Sequence, residues 1–334
     1  MKQKKKTLKL KKNKKTEIPT DAIISGTVGR DFFLIICFVL FFSLLLFYPG
    51  DGSFFKLFAF NKSLSNNQSG QTVQEIIIIP YVFNPQITPS ITASGAYVID
   101  LTSATPLYSK NKDLKLLPAS TVKVITALTG YKKFELDTVL TVKRKITDGQ
   151  VAGFNVGEKL TFENVLYALL VHSGNDAAYV IADNYPGGYK EFIIAMNKTA
   201  EYLHMSSSRF TNPAGFDAQG QYITAFDLSL ASRKLLENKE LSKIVSTKSI
   251  TISDIDFTYF HPLNNVNKLL GEIPGLAGLK TGYTEAAKEN LVSFYTHKGK
   301  KFVIVILKSD DRFEDTKNII NWLNTNIGFK TYSI

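Results

Sequence analysis

Cysteine is almost missing from this 334-residue chain: Cys37 stands alone, so no disulfide can form within one molecule. Histidine is scarce as well. His172, His204, His261 and His297 are scattered and no H-E-x-x-H occurs, which argues against a zinc peptidase, and we expect neither a metal nor a cofactor. There is no G-x-S-x-G elbow of the α/β-hydrolase kind. GLAGLKT resembles a phosphate loop only superficially, because Leu279 and not glycine precedes Lys280. Internal repeats and heptads are absent. Charged residues make up only 21% of the chain, beside 44% hydrophobic and 12% aromatic residues, which excludes a wholly disordered protein and suits one large or two ordinary domains.

The formal net charge of +11 invites a nucleic-acid reading until its location is considered. Between Met1 and Asp31 there are ten basic residues, nine of them lysine, against three acids, so that short stretch carries +7. Phe32 to Gly50 follows without a single charge. Nineteen helical residues span roughly 28 Å, close to the hydrocarbon thickness of a bilayer. Lysines on one flank mark that side as cytoplasmic. We therefore expect a basic cytoplasmic tail over 1–31 and a transmembrane anchor over 32–50, with the remainder outside the cell membrane. The run is long and rich in Phe and Leu, and no A-x-A-like site follows it, which favours a retained anchor over a cleaved signal peptide. Cys37 falls inside the span, so the exported part has no thiol nucleophile. Topology accounts for the lysine tail, and no nucleic-acid partner is expected.

Asn61 to Thr72 is polar and rich in Gly, Ser and Asn, and prolines interrupt the stretch after it, so 51–87 reads as a linker. From 88 to 334 the composition is that of one compact domain. GAYVIDLTS and ATPLYSKN predict a strand hairpin; PASTVKVITALTGYKKF predicts a helix opened by Pro118. Two apolar helical stretches flank His172-Ser173-Gly174-Asn175. GLKTGY, NLVSFYTH and KFVIVILKS predict an antiparallel meander, and DRFEDTKNIINWLNTNI a closing amphipathic helix. Strands at both ends with helices between them indicate an α/β (α+β) layer fold whose terminal segments share one sheet.

Three short motifs carry the chemistry. Ser120-Thr121-Val122-Lys123 puts a hydroxyl and an amine on one helix face. Serine is a poor nucleophile unless a base takes its proton, and lysine can be that base only if burial, the helix dipole or a second cation lowers its pKa. Ser173-Gly174-Asn175 can project a hydroxyl and a carboxamide into a cleft. Lys280-Thr281-Gly282 offers a cation and a hydroxyl suited to a carboxylate, with a glycine that lets a ligand backbone approach. Taken singly, these are a capped helix with a solvated lysine, an ordinary inter-helix turn and a lysine on an edge strand.

In this order, an S-x-x-K, an S-x-N about 50 residues later and a K-T-G about 105 residues beyond that resemble the signatures of penicillin-binding proteins and serine β-lactamases. PLYSKNKDLKLLPASTVKVITAL, LTFENVLYALLVHSGNDAAYVIA, FTNPAGFDAQGQYITAFDLSLASR, HPLNNVNKLL and GLKTGYT together resemble the D-alanyl-D-alanine carboxypeptidases, over residues 92 to about 326. The resemblance implies a β-lactamase/DD-peptidase-like fold with a helical subdomain beside the sheet. It also implies removal of the terminal D-alanine from peptidoglycan stem pentapeptides through an acyl-enzyme, with β-lactams as inhibitors. In that reading Ser120 is the nucleophile, Lys123 takes its proton and Ser173 relays a proton to the departing amine. Asn175 binds the substrate backbone, and Lys280 and Thr281 hold its carboxylate. Gly282 gives close approach, and the N–H groups of Ser120 and Tyr283 form an oxyanion hole.

The chain departs from the family where an A-G-x-C-like stretch often follows K-T-G-x-T; Glu285 to Asn290 stands there instead. His172 occupies a place where an apolar residue or proline is commoner, and we expect it to pack. The chain runs about 50 residues past Gly282, short for the C-terminal β-domain and anchor of many relatives, so the N-terminal span is expected to provide attachment. No loop with the deacylating glutamate of class A β-lactamases is recognisable. A D,D-endopeptidase acting on cross-links uses the same residues and stays open. A β-lactam sensor with little turnover is disfavoured, because the basic tail is too short for an output domain.

Overall fold

The computed structural model describes residues 35–41 and 76–333 of the chain, which divides into two compact units, 1–73 and 74–334. In the first unit, 35–41 is helical and its side chains are exposed. Most of the expected anchor, the basic tail and the polar linker stretch lie outside the described residues. Among the described residues no helix is long and apolar enough to cross a membrane.

The second unit is organised around five antiparallel strands in the order β3-β2-β10-β9-β8. They are β2 (Gly95–Asp100), β3 (Pro106–Lys110), β8 (Leu276–Thr284), β9 (Lys288–His297) and β10 (Lys300–Ser309). β2 pairs with β10 from Gly95↔Leu307 to Asp100↔Phe302, so segments from both ends of the domain share the sheet, as the sequence pattern predicts. Alternation along β10 explains its unbroken apolar run. Val303, Val305 and Leu307 join the core that contains the helical layer, while Phe302, Ile304 and Ile306 join a second core on the other face. That second core is completed by Ile319, Ile320, Trp322 and Leu323 of the closing helix, Arg312–Asn326.

The other layer is helical. A 3-10 turn, Ala119–Val122, runs into α1 (Lys123–Tyr131), of which every residue except Tyr131 is buried. α2 (Phe162–Leu170) and α3 (Asn175–Asn184) flank the predicted Ser-Gly-Asn turn; α4 (Gly188–Tyr202), α5 (Ala225–Glu237) and α6 (Lys239–Val245) complete the layer, and the closing helix is α7. Two short ribbons, β4–β5 (Val139–Thr141, Lys159–Thr161) and β6–β7 (Ser249–Ser253, Phe260–Asn264), were not anticipated from the sequence. Nor was the ribbon of β1 (Ile76–Val82) with β11 (Ile327–Ser333). β1 falls in the stretch expected to be linker, and the polypeptide continues past the closing helix into β11. Each strand's partner lies at the other end of the domain, so local periodicity does not reveal their pairing.

A buried carboxylate fastens the domain's first segment to its last helix. Asp315 accepts hydrogen bonds from Thr92 N (2.9 Å), Thr92 Oγ1 (3.0 Å), Ala93 N (2.9 Å) and Ser309 Oγ (2.6 Å). Asp315→Ala leaves those donors without an acceptor in a dry site, so we expect a loss of about 3 kcal/mol. A urea unfolding midpoint that stays put on substitution contradicts this role.

Candidate active site

A single cleft of about 440 Å³ gathers all three sequence motifs. Ser120 lies on it from the 3-10 turn, Ser173 and Asn175 from the α2–α3 turn, and Thr281, Gly282 and Tyr283 from β8. The 3-10 geometry matters, because at three residues per turn side chains i and i+3 eclipse. Ser120 Oγ and Lys123 Nζ are accordingly 2.7 Å apart.

Lys123 is fully buried, and its amine also lies 2.7 Å from Asn175 Oδ1 and 2.7 Å from the Ala214 carbonyl. Burial holds its pKa well below the ordinary lysine value, and the charge of Lys280 pushes in the same direction; Asp176 opposes them. An uncharged amine has two protons and one lone pair. Ala214 O can only accept, and so can Asn175 Oδ1, whose amide is oriented by its Nδ2 donating to the Asp148 carbonyl at 2.8 Å. With both protons committed, the lone pair of neutral Lys123 faces the Ser120 hydroxyl. Asn175, assigned by resemblance to substrate binding, here orients Lys123 and the 148–150 loop.

Backbone contact fixes the serine. Asn290 Nδ2 donates to Leu117 O (2.9 Å) and Pro118 O (3.0 Å) just upstream of it. A side chain on Gly282 would come within 3.0 Å of Ser120 N, and one on Gly215, at φ +96°, within 2.0 Å of Ala119 O. These two glycines let β8 and the 212–216 turn close on Ser120 from two sides. Ala119 (φ 45°) and Ser173 (φ 62°) hold left-handed conformations that non-glycine residues rarely adopt, one at each motif. Asp176 accepts from the backbone N–H groups of Ala152 (2.9 Å), Gly153 (2.8 Å) and Phe154 (3.2 Å), and so pins the loop that brings Gly149 and Gln150 to the cleft wall.

Lys280 is buried, not an exposed edge lysine; burial and the charge of Arg312 lower its pKa to about 7. The guanidinium that reaches the cleft wall is that of Arg312, at the start of α7. Its Nη1 donates to Gly282 O at 2.8 Å and its Nε has no hydrogen-bond partner among the described residues; Glu289 Oε2 accepts from the Arg312 backbone N–H at 2.9 Å and pairs with Nε only at 4.0 Å. Sequence reasoning missed Arg312. One signal was present: an arginine in the first helical turn opposes the helix dipole, which favours acids there. His172 is half-buried rather than packed in a core. Its ring joins Gln150 Nε2 (2.7 Å) to the Asn264 N–H (3.5 Å), bracing the loop beside the cleft.

The chain is similar to known proteins of one family. A D-alanyl-D-alanine carboxypeptidase family profile matches residues 83–311. The chain is 31% identical over 255 residues to a D-alanyl-D-alanine carboxypeptidase of Streptomyces sp. (strain K15), covering 70% of this chain and 88% of that protein. It is 30% identical over 203 residues to the carboxypeptidase DacF of Bacillus subtilis, covering 59% of this chain and 52% of the relative, about half its length. A D-alanyl-D-alanine endopeptidase of Escherichia coli is 29% identical over 252 residues, covering 71% and 79%. The crystal structure of the Streptomyces K15 DD-transpeptidase superposes with a TM-score of 0.67 at 30% identity, over 71% of this chain and 98% of that one. With the family profile spanning most of the chain and the fold matching in detail, this protein is a serine peptidase that belongs to the D-alanyl-D-alanine carboxypeptidase family.

Proposed function

We propose that the protein removes the terminal D-alanine from peptidoglycan stem pentapeptides outside the cell membrane. The observation that carries this reading is the buried amine of Lys123, 2.7 Å from Ser120 Oγ, in a site where Ser120 lines the same cleft as Thr281 and Arg312. Ser120 Oγ attacks the carbonyl carbon between the last two D-alanines as its proton passes to Lys123 Nζ. The N–H groups of Ser120 and Tyr283 receive the oxyanion. Lys123 returns the proton, through the Ser173 hydroxyl, to the leaving amine. The C–N bond breaks, D-alanine departs and an ester remains on Ser120. Water then splits the ester. Arg312 and Thr281 hold the terminal carboxylate, with the buried Lys280 adding positive potential. A penicillin follows the same first step, with its ring amide in place of the scissile bond.

The lysine-rich tail and the uncharged 32–50 run support an N-terminus in the cytoplasm and a catalytic unit tethered outside. Endopeptidase action is the second reading, favoured by the Escherichia coli endopeptidase among the relatives. Mass analysis of products from intact and cross-linked muropeptides separates the two.

A fluorescent penicillin is expected to label the wild type, while Ser120→Ala and Lys123→Ala each lower acylation at least about 10³-fold. Labelling that survives Ser120→Ala overturns the nucleophile. D-Alanine release measured beside label decay distinguishes turnover from mere capture.

The pH profile follows from the two lysines. Lys123 must be neutral to accept the proton, so kcat/KM rises as pH climbs through its depressed pKa. Lys280 must be protonated to favour the carboxylate, so kcat/KM falls again as pH passes about 7, the free-enzyme value. Arg312→Gln removes a repelling cation from Lys280, which moves that alkaline limb to higher pH while raising KM. A limb that does not move separates Lys280 from the profile.

A further inference from the structure

Among the described residues the β1–β11 ribbon joins no other strand, and an isolated two-stranded ribbon is marginal in water unless something covers it. Apolar side chains nevertheless remain outside: Ile78, Ile79, Tyr81, Phe83, Phe329 and Tyr332 are 36 to 59% exposed. Lysines border them. Phe329 shares a groove of about 210 Å³ with His297, Lys298 and Lys300 of the β9–β10 turn. Lys300 Nζ lies 4.8 Å from the Phe329 ring centre and Lys330 Nζ 4.9 Å from that of Tyr81. Between Glu75 and Asp100, between Glu289 and Asp310, and from Lys317 to the end, the sequence has no acidic residue. Among the described residues, no ion pair involves Lys298, Lys300 or Lys330.

We propose that this end of the catalytic unit is a docking surface for an anionic bilayer. Aromatic and aliphatic side chains ringed by lysine have the composition of a membrane–water interface. β1 is also the first strand after the segment that leads from the 32–50 run, so the inference rests on reading that run as an anchor. A second copy is the poorer occupant. Pairing the ribbon with its own image would set one lysine ring against another with no acid to offset it. The geometry has a consequence for the cleft. Leu291, the register partner of Thr281, lies six residues along β9 from His297 at the turn, roughly 20 Å at strand rise. A docked surface therefore holds the cleft about that much farther from the lipid.

The test uses the full chain in nanodiscs made with acyl-brominated phosphatidylglycerol or phosphatidylcholine. Tyr332→Trp is expected to be quenched strongly in phosphatidylglycerol and weakly in phosphatidylcholine, over the background of the native, buried Trp322. Adding Lys298→Glu, Lys300→Glu and Lys330→Glu removes about fivefold of bias per lysine, roughly a hundredfold in all, and the extra quenching with it. D-Alanine release from a soluble pentapeptide stays unchanged. Hydrogen exchange on the unsubstituted chain gives an independent reading: amides of 76–82 and 327–333 slow in phosphatidylglycerol. Quenching no greater than background, or equal in the triple variant, overturns the proposal. Protection that tracks protein-to-lipid ratio and accompanies cross-linked dimers assigns the surface to a second copy and also overturns it. Alkaline carbonate extraction separates the two failures. Release of the parent chain refutes the anchor, whereas retention without quenching refutes the docking surface alone.

Discussion

An amine that must be dry is the constraint on which the rest of the site depends. A lysine in water is protonated at neutral pH and cannot take a proton from serine. Lys123 is suited to the proposed role of base because α1 is buried almost all round and carries it into the core, where the charged form is disfavoured. A dry amine still needs hydrogen-bond partners, and Asn175 and Ala214 provide them. Their placement consumes the two protons and leaves the lone pair for Ser120. The second lysine, Lys280, lowers the pKa further, while Asp176 works against it. Asp176 is tolerated because its carboxylate is occupied by the backbone N–H groups of the 152–154 loop, a fixed set of dipoles that shares its charge.

The same constraint explains why three remote stretches close so tightly. Ser120 sits at the junction of a turn, an edge strand and a loop. Water between them would re-solvate the amine. Gly282 and Gly215 remove the side chains that would hold β8 and the 212–216 turn away, and Asn290 ties β9 to the carbonyls before the nucleophile. The departure of the Glu285–Asn290 stretch from the commoner family pattern therefore leaves a structural anchor intact at its last residue. Behind this junction the sheet supplies rigidity, since β10 is buried on both faces and neighbours both β9 and β2.

Local features were legible in the sequence wherever chemistry follows spacing. The i, i+3 relation of Ser120 and Lys123, the turn holding Ser173 and Asn175, the meander and the sheet shared by both ends of the domain all follow from patterns a few residues long. Features set by tertiary placement were not. The motif marked Lys280 as a cation for a carboxylate, but its burial was hidden because a strand pattern does not reveal what covers its face. Arg312 was hidden in a charged run, DDRFED, where its reach to Gly282 depends on how the start of α7 is placed in the fold. β1 and β11 depend on each other from opposite ends of the domain. His172 was read as a packing residue, but both its ring nitrogens face polar partners, one of them on a strand 92 residues away.

The formal charge of +11 also changes meaning at the site. That sum treats every lysine as protonated, yet Lys123 is held well below its ordinary value and Lys280 stands at about 7. Both are buried, and each costs less to keep neutral than to keep charged without a counterion. At neutral pH the positive potential that a carboxylate meets on the cleft wall therefore comes first from Arg312, whose guanidinium keeps its charge despite partial burial because its intrinsic pKa is so high. In the proposed reaction an arriving carboxylate would supply the missing counterion, favour protonation of Lys280 and strengthen the repulsion between Lys280 and the proton that Lys123 has received. The ligand would thereby help push that proton onward to the leaving amine. Charge that is withheld until the substrate binds, rather than the total carried by the chain, is what this arrangement of two lysines and one arginine provides.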